Sequence, residues 1–168
     1  MNRILTLSCL LLAACGDKDD EDSGSDAFVP EEGDWVNVSE TVLSDSCGLP
    51  DSGEDDGPAV LTVTGDDTFT LTLDDTDFTV DIPCTLDGKD AECGPALAFE
   101  QDFSSSGIDG VLTLHFSMSG SFSSTTAATF EVTASVDCAG TQCDDISAGA
   151  GFPIPCETVS ELEVEHQP

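Results

Sequence analysis

Residues 68–83, TFTLTLDDTDFTVDIP, alternate apolar and polar side chains twice, with an acidic break between the two runs. Phe69, Leu71 and Leu73 fall on one face of an extended chain and Thr68, Thr70 and Thr72 on the other, the period of a strand with one buried face. Phe78, Val80 and Ile82 repeat the pattern after Asp74-Asp75-Thr76, a link so short that the two strands must be antiparallel neighbours. Working outward, Gly65-Asp66-Asp67 ties this pair to AVLTVT at 59–64, and Leu86-Asp87-Gly88-Lys89 carries an Asp-Gly hairpin signal on the other side. Alternation predicts further strands at 35–43, 96–103, 110–119, 126–137 and 158–165, and the strand at the centre spans 77–83. Their inner faces read Leu112/Leu114/Phe116/Met118, Phe130/Val132/Ala134/Val136 and Leu162/Val164. Helical periodicity is nearly absent, and Asp outnumbers Glu 23 to 12, which suits turns and strands better than helices.

About eight strands in a meander, each apolar on one side, must hide that side by closing into a barrel or by folding over as a sandwich. Short links favour an up-and-down antiparallel barrel over an immunoglobulin-like sandwich, which needs long crossovers. Closure also removes the exposed edges. The expectation is a single all-β domain over residues 34–168.

The start of the chain has a different character. A basic Arg3 precedes an apolar run from Ile4 to Leu12, too short to cross a bilayer as a helix but with the layout of an export signal. Leu12-Ala13-Ala14-Cys15 then closely resembles the lipobox of bacterial lipoproteins. That resemblance implies that residues 1–14 are a signal peptide, removed on maturation, and that Cys15 becomes the N-terminus carrying a diacylglyceryl group and a further acyl chain such as palmitate. Two or more chains, at about 0.8 kcal/mol per buried CH₂, hold a protein stably on a membrane. It implies a place in the bacterial cell envelope, with Gly16 and Asp17 pointing to the outer membrane and the periplasmic or surface face left open. Residues 15–33, the cysteine and GDKDDEDSGSDAFVPEEG, read as an acidic tether with little to bury, spanning roughly 25 Å as a flexible coil.

At Gly33-Asp34-Trp35 the chain resembles the Gly-x-Trp that opens the first strand of lipocalins. That resemblance implies an eight-stranded barrel whose tryptophan plugs the closed end and whose interior carries small apolar molecules. Trp35, the sole tryptophan, is equally readable as a large core residue at the start of a sheet.

Beyond Cys9 in the signal and Cys15, six cysteines remain: Cys47, Cys84, Cys93, Cys138, Cys143 and Cys156. An even number in an exported domain points to three disulfides. Cys84 and Cys93 flank the Asp87-Gly88 turn and are the best pair; Cys138 and Cys143 either close a small loop or bond to Cys47 and Cys156. Only Cys138/Cys143 approaches zinc-site spacing, and no C-x-x-C redox motif occurs.

The chain has 35 acidic residues against three Lys and Arg, a formal charge of −32. Such a field repels phosphate backbones, which excludes nucleic acid as a partner. It serves solubility, life in a salty medium, or cation binding. Asp66, Asp67, Asp74, Asp75 and Asp77 in the turns are weak Ca²⁺ candidates, as is the acidic segment 45–56, although no register matches an EF-hand loop. The mature chain keeps two histidines and two lysines, has no tyrosine and loses its arginine with the signal, so the usual acid–base and nucleophilic groups are scarce. His115 falls on a polar strand face, His166 at the C-terminus, and no Gly-x-Ser-x-Gly elbow is present. No catalytic residue and no cofactor are expected.

The reading is a non-enzymatic, lipid-anchored envelope protein acting as a binding or structural module. The alternative is a lipocalin-like carrier of small apolar molecules, with an envelope enzyme third and either a ligand or an envelope protein as partner. A solid interior would leave no room for a ligand; a carrier needs a cavity of roughly 300 Å³ or more.

Overall fold

A computed structural model describes residues 28–48, 58–74 and 78–168 of the chain. Eight antiparallel strands close into an up-and-down barrel in which each strand pairs with its sequence neighbours and the last pairs with the first. They are β1 (Gly33–Asp45), β2 (Ala59–Gly65), β3 (Thr68–Asp74), β4 (Thr79–Asp87), β5 (Asp90–Asp102), β6 (Val111–Ser124), β7 (Ala127–Ala139) and β8 (Cys156–His166). The all-β meander and its closure therefore follow the alternation in the sequence. No helix among the described residues is long and apolar enough to cross a membrane. On β8 the outward face carries Glu157, Glu161, Glu163 and Glu165, whereas Leu162 and Val164 face inward.

The strands are unequal, and this shapes the molecule. β2 and β3 have 7 residues and β4 has 9, whereas β5, β6, β7, β8 and β1 have between 11 and 14. The short strands meet the long ones only at one end. β1 pairs with β2 through Gly33–Trp35 alone, while its remaining length pairs with β8 as far as Asp45. β4 pairs with β5 only through Cys84–Asp87, after which β5 turns at a bulge and continues along β6. Gly94 at that bulge has φ of +80°, and a Cβ there would sit 2.6 Å from the Phe116 carbonyl oxygen, so only glycine fits the turn.

Two apolar clusters fill the interior. The larger joins Trp35, Leu61, Phe69, Leu71, Val80, Ile82, Phe122 and Phe130 at the end where all eight strands are present. Phe122 is its hub, with the rings of Phe28, Trp35, Phe69 and Phe130 at 5.3, 5.7, 5.8 and 5.7 Å. Gly120 makes this possible: a Cβ there would meet the Phe130 ring at 2.7 Å, so the missing side chain leaves the space that Phe130 fills. The smaller cluster caps the far end of the long strands, where Cys47, Val136 and Cys156 pack with Leu112, Leu114, Phe152 and Ile154.

Several boundaries differ from the sequence reading. β5 begins at Asp90 rather than 96, β4 runs on to Asp87, and β6 runs on to Ser124, which brings Phe122 into the core. Residues 28–33, assigned to the tether, are folded: Phe28 packs on Phe122, Pro30 is buried, and the Trp35 indole N–H donates to the Glu31 carbonyl at 3.0 Å. An unforeseen helix, α1 (Cys143–Ala150), follows β7, with Ile146 as its one buried side chain and Gly151 ending it at φ of +83°.

Candidate functional site

Between the two clusters the barrel is hollow. A cavity of about 300 Å³ is lined by Trp35, Leu73, Phe78, Phe116, Met118, Val132, Ala134, Leu162 and Val164, with Ala59 and the polar Asn37, Glu40, Asp74, Thr158 and Ser160 completing the wall. A smaller void of about 60 Å³ continues it toward Phe122 and Phe130. Strand register explains the depth of each residue. Phe116 and Met118 on β6 face Ala134 and Val132 on β7, and these lie one step beyond the aromatic plug and one step short of Leu114 and Val136 in the far cluster. Small side chains at Ala134, Ser160 and Ala59 leave the space unfilled.

The polar part of the wall comes from two places. β8 turns polar on its inward face toward its start, where Ser160 and Thr158 succeed Val164 and Leu162. On β1 a bulge between Asn37 and Ser39 shifts the alternation, so that Glu40 rather than Ser39 stands opposite Leu162 on the inward side. Simple alternation from Trp35 puts Ser39 inside, which is why Glu40 escapes notice in the sequence. Ser39 instead donates to Glu163 on the outer face at 2.8 Å.

The mouth lies where β1 outruns β2. Val42 shares the inward register with Ser160, yet it is 58% exposed because, among the described residues, no strand pairs with β1 beyond Trp35 on that side. Asn37, Glu40 and Asp74 are likewise exposed, whereas Trp35, Met118 and Ser160 lie deep. Thr79 donates its hydroxyl to Asp74 at 2.7 Å, fixing that carboxylate at the rim.

The other singled-out residues lie elsewhere. The six cysteines form three bridges, Cys47–Cys156, Cys84–Cys93 and Cys138–Cys143. Cys84 and Cys93 stand directly opposite in the β4–β5 register, Cys138–Cys143 ties α1 to the end of β7, and Cys47–Cys156 holds the end of β1 to the start of β8. Three bridges mark a protein that matures outside the reducing cytosol. Cys15 and the lipobox, like Asp75 and Asp77, fall outside the described residues. Asp66 and Asp67 sit in the β2–β3 turn and Asp74 at the opposite end of β3, some 20 Å away at strand rise, so they do not share one cation. No group of three or more His, Cys, Asp or Glu among the described residues is placed to hold a metal.

His115 pairs in register with Ser135 and Leu97, away from the cavity wall. His166 ends β8, sets its ring edge-on to Trp35 with centroids 6.0 Å apart and places Nε2 3.0 Å from the Glu32 carbonyl oxygen. At the far end three aspartates are held below their ordinary pKa of 3.8. Asp45 accepts from the Gly48 amide, then from the Thr158 hydroxyl and the Cys47 amide. Asp102 accepts from the Ser104 amide and hydroxyl, and Asp109 from the Thr141 hydroxyl and amide.

No family model matches the chain, and neither a curated protein nor a solved structure matches it.

Proposed function

We propose that this is an exported, lipid-anchored and non-enzymatic protein of the bacterial envelope whose barrel binds one small apolar molecule. The observation that carries the binding reading is the cavity of about 300 Å³ with Trp35, Phe78, Phe116 and Met118 in its wall. That volume is at the lower end of small-molecule pockets, roughly 300–1,000 Å³, and the mix of apolar wall with a few polar groups is the usual one. The non-enzymatic reading is supported by the sequence, whose mature chain keeps only two histidines and two lysines and has no tyrosine. The lipobox at Leu12–Cys15 supports the anchor, the three bridges support export, and the Gly33-Asp34-Trp35 resemblance to lipocalins agrees with a carrier.

One preparation tests both halves. Protein made in a bacterial host is expected to enter the detergent phase and to bind a neutral apolar fluorophore saturably at one site, with Trp35 emission quenched as the site fills. Cys15→Ser is expected to stay in the aqueous phase and bind the fluorophore equally well. Non-saturating uptake of the fluorophore would overturn the binding reading; a wild-type chain that stays in the aqueous phase would overturn the anchor.

A further inference from the structure

We infer that the ligand is a cationic amphiphile: a short apolar body bearing an ammonium head that rests at Glu40 and Asp74. The inference rests on the binding reading above and adds the ligand's charge and orientation. The wall divides by depth. Trp35, Met118 and Ser160 are each more than nine-tenths buried, whereas Asn37, Glu40 and Asp74 stand exposed at the rim of the same cavity. A ligand that enters apolar end first therefore leaves its polar end at a rim that carries two carboxylates and an amide.

The chemistry of that rim selects among heads. Among the described lining residues there is no Lys, Arg or His, and Lys89 lies at the opposite end of the barrel, bonded to the Ser123 carbonyl and set over the Phe28 ring. A carboxylate head would meet two like charges and no cation to offset them. A hydroxyl head would gain an ordinary hydrogen bond. An ammonium head offers several N–H donors to carboxylate oxygens, and such charge-assisted bonds are the stronger kind. Asp74 is pre-oriented by Thr79, and that bond occupies one of a carboxylate's roughly four acceptor positions. The space, about 300 Å³, lies at the lower end of small-molecule pockets and suits a short chain or a small ring system.

A chain of charge −32 attracts any cation, so the local contribution has to be separated from the general field. Glu131 supplies the comparison: it lies on the outer face directly opposite Glu161 and carries the same charge as Glu40 without touching the cavity. The test is calorimetric titration of n-octylamine, n-octanol and octanoate into the wild type, Glu40→Gln and Glu131→Gln at neutral pH and low salt. The expected order is amine, alcohol, carboxylate, with the amine roughly tenfold tighter than the alcohol. Glu40→Gln is expected to cut the amine's advantage over octanol at least about threefold, with an unchanged circular-dichroism spectrum and melting curve showing the barrel intact; Glu131→Gln is expected to leave the advantage in place, and an undiminished advantage in Glu40→Gln also overturns the cationic head. Octanol binding as tightly as octylamine, or Glu131→Gln weakening the amine as much as Glu40→Gln does, overturns the cationic head and leaves the apolar site standing. Saturable binding of none of the three overturns the apolar site as well.

Discussion

At one end of the barrel four aromatic rings lie within 5.8 Å of Phe122; farther along, between that plug and the far cluster, the wall surrounds a cavity of about 300 Å³. Inward and outward side chains alternate along the strands in both regions, so alternation alone does not decide whether an inside is solid. Side-chain size and the number of strands present decide it. Where all eight strands meet, Phe69, Phe122, Phe130 and Trp35 converge, and Gly120 opens the room they need. Around the cavity β2 contributes only its first residue, Ala59, and β3 its last two, Leu73 and Asp74, while the inward positions of the long strands hold Ala134, Ser160 and Thr158. If the plug carries the stability, truncating its hub is the largest single loss available. Phe122→Ala is expected to destabilise the protein by about 3–5 kcal/mol in a denaturant titration, since the ring leaves a cavity that four fixed neighbours cannot close. A loss under about 1 kcal/mol would show that the plug is not the load centre of the fold.

The eight strands were readable in the sequence because their link residues are short and their apolar faces regular, as 68–83 shows most clearly. Phe122 was missed because Gly120 interrupts the inward series of β6 after Met118, and a strand that loses its alternation looks finished. The start of β5 was hidden in the same way, Gly94-Pro95 reading as a break where the backbone forms a bulge. Phe28 was the only large aromatic in an acidic stretch, a signal available but outweighed by its neighbours' charge. Helix α1 left no periodic trace, because eight residues with one buried side chain contain none; a bridge and a left-handed glycine hold it. The cavity was legible only as what the Gly33-Asp34-Trp35 resemblance implies, and not from the alternation. A sequence names the residues on an inward face, but a void is set by how far apart the opposing faces stand, and Glu40 reaches it only through a bulge.

An identical substitution at two alanines sharpens the contrast between the ends. Ala128 belongs to the packed cluster and is 4% exposed, whereas Ala134, six residues along the same strand, lines the cavity. Ala128→Phe is expected to cost about 1–3 kcal/mol, because the added ring has no space and must displace its neighbours. Ala134→Phe is expected to raise stability by roughly 1 kcal/mol through added apolar burial, and to abolish fluorophore binding by occupying the site. Thermal melts of the pair read the difference directly. Equal destabilisation at both positions would mean that the interior is uniformly tight, and the distinction between plug and cavity would fail.

The smallest expected effect separates the ends by pH. Asp45, Asp102 and Asp109 all lie at the far end, closing the β1–β8 edge and the turn between β5 and β6, and hydrogen bonds from Gly48, Ser104 and Thr141 favour their ionised forms. Each has a folded-state pKa below the 3.8 of the unfolded chain. The stabilisation they give is therefore fully present above that value and is lost as pH falls through the depressed folded values. Over the range above 3.8 the net charge acts in the opposite sense, since lowering it relieves self-repulsion in a chain of charge −32. Stability is expected to hold or rise slightly as pH is lowered from 7 toward 4, then to fall. The loss should start at the far end: the amide protons of Gly48, Ser104 and Thr141 should shift together in NMR spectra below pH 3.8 while the Trp35 indole resonance, set in the plug and bonded to Glu31, stays in place. Simultaneous movement of the indole and the three amides would show one cooperative unit, in which the aspartate turns and the aromatic plug share their stability rather than dividing it.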